Sequence, residues 1–283
     1  MLEPEEAIKV MVNGLPGKVA TVVAEYINES KNLDLFPYAL TGIDISEKTC
    51  DINGDGIELI TADRRDEIKR RKKPEISVDF THPSAVDSNV EFYCQNRLPF
   101  VMGTTGGKRD TPGEDNLDTI EQRVRDSEIV AVIAPNMAKP IVLLQEMIRY
   151  ASKTFPDAFK GYSLGTVESH QKGKADTSGT AKAMVDYFNK LGIPFKKDEI
   201  VMIREPYKQL IMGIPKDALT GHGWHTYTLK SENGSVLLRF THNVNGRDVY
   251  ADGTIDAITY LNKKINAGEK GKVYSMMDVL KGK

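Results

Sequence analysis

The stretch ESHQKGKADTSGTAKAM (168–184) sets a histidine, His170, four residues before a lysine, Lys174, and runs into an apolar-periodic segment. An imidazole can exchange a proton near neutral pH, and an ammonium group can donate one or hold an anion. Downstream, Ala181, Met184, Val185, Phe188 and Leu191 recur at helical spacing before Gly192, which reads as a stop signal. A helix therefore begins near Thr180, with Thr177 or Ser178 as its cap and Gly179 leaving room at its free amides. Such a helix start favours negative charge, and Lys174 just upstream adds a full positive one. The chemistry suggested is a carboxylate pocket beside a proton-transfer group. A capped helix with surface lysines and a structural histidine is the other reading, and these residues alone leave both open.

The elements that would present a partner to this stretch lie upstream. Strand-like runs at 7–13, 37–43, 76–80, 98–103 and 129–135 alternate with helical patterns, which predicts a Rossmann-type, doubly wound parallel sheet of the α/β class. Ligands of such sheets bind beyond the carboxyl ends of the strands. There the chain carries Gly14, Gly17 and Ala20 in GLPGKVA, then Thr81-His82-Pro83, then Thr104, Thr105, Gly106 and Gly107, then Pro135, Asn136 and Met137. The glycine loop alone reads equally well as a tight turn, but four such strand ends on one edge favour a dinucleotide. Lys18 stands where it could meet a phosphate or simply face solvent. Asp44 and Asp51 are the candidates for a ribose contact, both displaced from the usual spacing, so NADPH and NADH both stay open.

After about residue 140 the pattern changes. A helix candidate precedes a strand ending at His170, and two Asn-Gly dipeptides, 233–234 and 245–246, sit among strand-like runs as hairpin signals. A second, α+β domain with a mixed or antiparallel sheet is expected there. Its HGWH segment holds His222 and His225, but residues three apart on a strand face opposite ways and no acid cluster accompanies them, so no metal is expected. His242 and Arg247 have no role assigned, Trp224 reads as core or interface, and Cys94 as packing.

The formal net charge of −2 gives no sign of nucleic acid or an anionic membrane as the main partner, so neither is expected, and the charged run 62–75 reads as a solvated face because its acids offset much of its basic charge. No apolar run reaches the roughly 20 residues that span a bilayer. Two cysteines without a pairing framework fit a reducing compartment, and the acidic start resembles neither a signal nor a transit peptide. The cytoplasm is expected, or the plastid stroma if a leader was removed.

GLPGKVA, DFTHP, GTTGG, APNM, ESHQKGKADTSGTA, HNVNGRDVYADGT and VYSMMDVL occur in the order typical of the 4-hydroxy-tetrahydrodipicolinate (dihydrodipicolinate) reductase family, which the chain resembles over nearly its whole length. The wording is similar to the plant-type branch. The resemblance implies His170 as the catalytic histidine and Lys174 as the proton donor. It implies a dicarboxylate substrate held by Gln171, Ser178, Gly179 and Thr180. For the nicotinamide cofactor it implies Gly14, Leu15, Pro16, Gly17, Lys18 and Val19 under the phosphates. Phe80, Thr81, Gly103, Thr104, Thr105, Ala134, Pro135, Asn136 and Met137 complete that site. It further implies a nucleotide domain of residues 1–138 rejoined by 262–283, a substrate domain of 139–261, and a homodimer, with a tetramer as the alternative.

The chain also departs from the family. Gln171 replaces a second histidine, the proline before SGTA is missing, and Pro16 and Ala20 interrupt the glycine loop. Gln171 and the shortened turn support one rival, a related reductase of another imino or amino acid. A catalytically silent dinucleotide sensor is the second rival, and His170 with Lys174 argues against it.

Overall fold

The structure is a computed structural model that describes residues 6–70, 73–109 and 118–282. Two compact units make up the chain: Met1–Lys139 with Tyr250–Lys283, and Pro140–Val249.

The first unit runs β1 (Ile8–Asn13), α1 (Lys18–Asn28), β2 (Leu33–Leu35), β3 (Tyr38–Leu40), β4 (Thr49–Ile52), β5 (Asp55–Ile60) and α2 (Asp66–Arg70). It continues through β6 (Ile76–Asp79), α3 (Val86–Gln95), β7 (Phe100–Met102), α4 (Ile120–Asp126) and β8 (Val130–Ile133). Every residue of β6, β7 and β8 is buried, which is why these strands read as unbroken apolar runs: a parallel sheet is covered on both faces. Helix α1 buries Ala20, Val23, Ala24 and Ile27 along one stripe, and α3 buries Val86, Val90 and Tyr93. Strands β4 and β5 form a hairpin on Asn53-Gly54, both at positive φ, and with β3 make a separate three-stranded sheet. The charged run 62–75 forms a short 3-10 turn and α2, with Arg71 and Lys72 outside the described residues.

The second unit holds α5 (Lys139–Thr154), β9 (Tyr162–His170), α6 (Gly179–Lys190), β10 (Val201–Ile203), α7 (Pro206–Ile211), β11 (His222–Ser231) and β12 (Leu237–Asn245). The sheet order is β10-β9-β11-β12, with β10 parallel to β9 and the other pairs antiparallel, so the sheet is mixed. Ile148, Met184, Phe188, Leu191, Tyr227 and Leu229 form its core, which seats α5 and α6 on one face.

Of the two Asn-Gly signals, Asn233-Gly234 closes the β11–β12 hairpin. The other, Asn245-Gly246, leads instead into α8 (Asp248–Asn266). Beyond Gly246 the buried residues Ala251, Thr254, Ala257, Ile258 and Leu261 fall on one helical face, and period 3.6 wins over the local turn signal. A Cβ on Gly253 would lie 1.8 Å from the Met137 carbonyl oxygen, so α8 meets the segment after β8 backbone to backbone. The return to the first unit therefore begins at Tyr250 rather than at residue 262. It ends with β13 (Lys272–Tyr274) and α9 (Met276–Lys281). With β13 in place the main sheet has the order β13-β8-β7-β6-β1-β2, all parallel.

Candidate active site

In the first unit, the carboxyl ends of β1, β3 and β6 border a cleft of about 830 Å³. Gly14, Leu15, Pro16 and Gly17 line it, together with Thr41, Asp44, Arg65, Phe80, Thr81 and His82. Gly14 sits at φ +101°, and a Cβ there would stand 2.4 Å from the Phe80 carbonyl oxygen. The loop needs glycine at that point for conformation and for close approach. Lys18 is exposed and Val19 half-buried in the first turn of α1, and neither lines the cleft. Of the two candidate ribose acids, Asp44 lines the cleft and Asp51 does not.

Beneath this edge lies a polar network that sequence reasoning missed. Asp79, fully buried at the end of β6, accepts from the Thr81 amide (3.0 Å), Thr81 Oγ1 (2.7 Å), Thr104 Oγ1 (2.9 Å), Asn89 Nδ2 (2.9 Å) and Tyr93 Oη (2.7 Å). Burial and the adjacent Asp79 push the Tyr93 phenol well up, so it stays a donor. Asn13 Nδ2 donates to Tyr93 Oη and Ser77 Oγ, while its Oδ1 accepts from the Leu40 amide. One carboxylate thus ties together the strand ends that carry Thr81 and Thr104, and through Tyr93 and Asn13 the start of the glycine loop. Gly103 packs on the Phe80 ring, Ala134 and Met137 are buried, Thr105 and Pro135 are exposed, and Asn136 Oδ1 accepts from the Ala138 amide. Arg65, from the charged run, bonds Ser88 and Asn89 at the cleft wall.

The second unit builds its site on the ends of β9 and β11 and the start of α6. Ser178 caps α6, its Oγ accepting from the Ala181 amide at 3.0 Å, while Thr177 bonds Met202 Sδ instead. The Ser178 amide donates at 3.0 Å to Glu168 Oε2, and Glu168 Oε1 pairs with Arg204. Arg204 also donates from Nε to the Lys174 carbonyl at 2.8 Å and reaches the Asp176 carbonyl. Burial alone would raise the Glu168 carboxyl, but Arg204, the Ser178 groups and the nearby His170 bring it below its ordinary value. The turn 171–178 is therefore held from below by one buried ion pair, with Lys174 half-buried and Lys172 exposed. No atom lies within 4 Å of where a Cβ on Gly179 would stand, so packing does not demand glycine there. Gln171 and Thr180 are half-buried beside it.

Arg204→Lys keeps the charge but cannot reach Glu168 and two carbonyls together. We expect it to lower the unfolding free energy by about 2 kcal/mol and to raise the KM for substrate. Denaturant melting and steady-state kinetics check both.

His170 stands between Nδ1 contact with the His222 carbonyl (3.1 Å) and Nε2 contact with His225 Nε2 (3.1 Å). Burial pushes its pKa down to about 4, with Glu168 opposing and Lys174 and Arg204 adding to the shift. His222 turns to the other face of the sheet and bonds Ser169 Oγ at 2.8 Å. Sequence reasoning saw no acid with these histidines, yet the register sets Glu168 directly opposite His225. Glu168, His170 and His225 offer ligand atoms within 4.8 Å of one another. Glu168 already accepts from Arg204 and the Ser178 amide, the two imidazoles face each other, and Arg204 and Lys174 add positive charge nearby, so the cluster fits hydrogen bonding better than a metal ion.

A parallel nucleotide-binding sheet followed by a mixed-sheet unit with a histidine–lysine turn defines a dinucleotide-dependent oxidoreductase. Family models described as the N-terminus and C-terminus of dihydrodipicolinate reductase match residues 8–137 and 140–280. The chain belongs to the dihydrodipicolinate reductase family. It is 39% identical to the probable 4-hydroxy-tetrahydrodipicolinate reductase 1, chloroplastic, of Oryza sativa subsp. japonica, across 98% of this chain and 80% of that protein. It is also 39% identical to 4-hydroxy-tetrahydrodipicolinate reductase 2, chloroplastic, of Arabidopsis thaliana, across 98% of this chain and 78% of that protein. The fold matches a dipicolinate-bound dihydrodipicolinate reductase from Paenisporosarcina sp. TG-14 with a TM-score of 0.64 at 18% identity, covering 95% of this chain and 97% of that one.

Proposed function

We propose that this protein reduces 4-hydroxy-tetrahydrodipicolinate to tetrahydrodipicolinate with NADPH or NADH, a step of lysine biosynthesis through diaminopimelate. The observation that carries the reading is the Ser178-capped helix start with an open Gly179, set beside Lys174 and a histidine held neutral at physiological pH. The glycine loop and cleft of the first unit suit a dinucleotide, since backbone can approach a phosphate at Gly14 and Gly17 without a side chain intervening. When bound, the nicotinamide supplies a hydride. The amides at Gly179 and Thr180 hold a substrate carboxylate, to which the helix dipole and Lys174 are complementary. The hydroxylated ring loses water before or during reduction, the conjugated imine accepts the hydride at its unsaturated carbon, and the charge left on the ring takes a proton from the Lys174 ammonium. His170, its pKa pushed down to about 4 by desolvation, is not the donor in this scheme.

A dicarboxylate partner, a homodimer rather than a tetramer, and a cytoplasmic or plastid location accompany this reading. A panel of cyclic imino acids tests it against a related reductase: the six-membered dicarboxylate should be preferred over monocarboxylate rings, and the reverse order would reject the proposal. Gly179→Ala is the sharper probe. Because the site has open space, we expect stability to change by less than about 0.5 kcal/mol, while KM rises roughly tenfold because the added methyl crowds the carboxylate over amides that the variant keeps. Thermal melting and steady-state kinetics read the two effects separately.

A further inference from the structure

We infer that His225, itself held by Tyr227, is a positioning residue that locks His170 in one neutral tautomer, with the proton on Nδ1, and so leaves proton donation to Lys174. The last clause rests on the reductase reading; the lock itself does not.

The assignment follows from which atoms can donate. The His222 carbonyl oxygen only accepts, so His170 Nδ1, 3.1 Å away, carries a proton. In the neutral ring Nε2 is then bare, and its contact with His225 Nε2 at 3.1 Å requires His225 to donate from Nε2. That leaves His225 Nδ1 bare, where it accepts from Tyr227 Oη at 3.2 Å. The Tyr227 phenol is buried and pushed up by that burial and by Glu168, so it never becomes a competing acceptor by ionising. Each proton in the series is fixed by the next group. The register makes this arrangement: His225 lies opposite Glu168 on β9 and opposite His242 on β12, on the face that also carries His170 and Tyr227. His242 stacks on His225 with ring centres 4.6 Å apart and planes 15° apart, which fixes the plane of the middle ring.

Protonating His170 would set two N–H groups against each other across that 3.1 Å contact. Relief would need His225 to move its proton to Nδ1 and Tyr227 to turn its hydroxyl away. The charged groups facing His170 divide: Glu168 on β9, 3.9 Å from Nε2, favours a charged ring, while Lys174 in the turn and Arg204 after β10 oppose it. His225 is buried and His242 half-buried, desolvation holds both below their ordinary values, and an imidazole has no negative charge to offer a protonated His170.

The test uses the full chain labelled with ¹⁵N-histidine, followed by long-range ¹H–¹⁵N spectra between pH 4 and 8. His225→Leu, His225→Gln and Tyr227→Phe are compared with the parent. The parent should show His170 with a protonated Nδ1 and a bare Nε2, ionising below pH 5. His225→Leu removes the donor, so the ionisation of His170 should rise by about one pH unit. Its tautomers should mix, and kcat should fall roughly tenfold with KM changed less than about twofold. His225→Gln restores an N–H donor and should recover part of both effects, and Tyr227→Phe should fall between Leu and parent. A parent His170 with its proton on Nε2, or a Leu variant with the parent's tautomer and ionisation, would overturn the inference. Absence of turnover by the parent would instead reject the reductase reading, with the spectra still deciding the lock.

Discussion

Lys174→Ala is expected to lower kcat by about 100-fold or more, the usual contribution of a positioned proton donor, while leaving the fold intact. The reason lies in what else could protonate the ring. His170 is half-buried, and desolvation pushes its pKa down to about 4, so it carries little charge near neutral pH. Lys172 and Asp176 are exposed on the same turn. Lys174 has its backbone anchored at both ends, its amide on the Gln171 carbonyl and its own carbonyl on Arg204. Those bonds survive truncation of the side chain, so stability should change by less than about 0.5 kcal/mol. KM should rise less than kcat falls, because the carboxylate keeps the helix amides. Steady-state kinetics beside a thermal melt separates the effects, and a variant within about threefold of the parent kcat would remove Lys174 from the chemistry.

Asp79→Ala should be the most damaging single change in the first unit. It strips the acceptor from five donors, four of them side-chain groups, and three of those, on Asn89, Tyr93 and Thr104, belong to buried residues. Leaving such a network half-satisfied costs about 3 to 5 kcal/mol, a large part of a domain's total stability. Asp79→Asn keeps one acceptor oxygen but turns an amide toward groups that also donate, so it should lose about half as much. Both variants loosen Thr81 and Thr104, so nucleotide affinity should fall in step with stability. Urea unfolding with and without nucleotide measures this; a variant as stable as the parent would show that the network is not what holds the edge.

How much of this was legible in the sequence depended on burial. The strands of the main sheet are covered on both faces, so ISVDF, LPFVMG and IVAVIAP announce themselves as apolar runs. The β4–β5 hairpin did not, because its residues are short, half-exposed and mixed with acids, although Asn53-Gly54 was a usable signal. The same dipeptide at 245–246 misled, since a turn signal does not say whether a strand or a helix follows. In the site, His170, Lys174 and the helix start were readable as neighbours in sequence. Glu168 could have been found, standing two residues before His170 on the same strand face. Arg204, His225 and Tyr227 could not, because only cross-strand register brings them to β9. Asp79 read as an ordinary strand-end acid, with nothing in its own segment to mark its five donors.

The most direct test of the whole account is nicotinamide absorbance, followed with NADPH and NADH separately, on substrate made fresh from pyruvate and aspartate semialdehyde by the preceding synthase. Rapid oxidation of at least one nicotinamide by the parent protein, stoichiometric with the substrate supplied, is the expected result. No oxidation of either, by protein shown to be folded and to bind nucleotide, would contradict it.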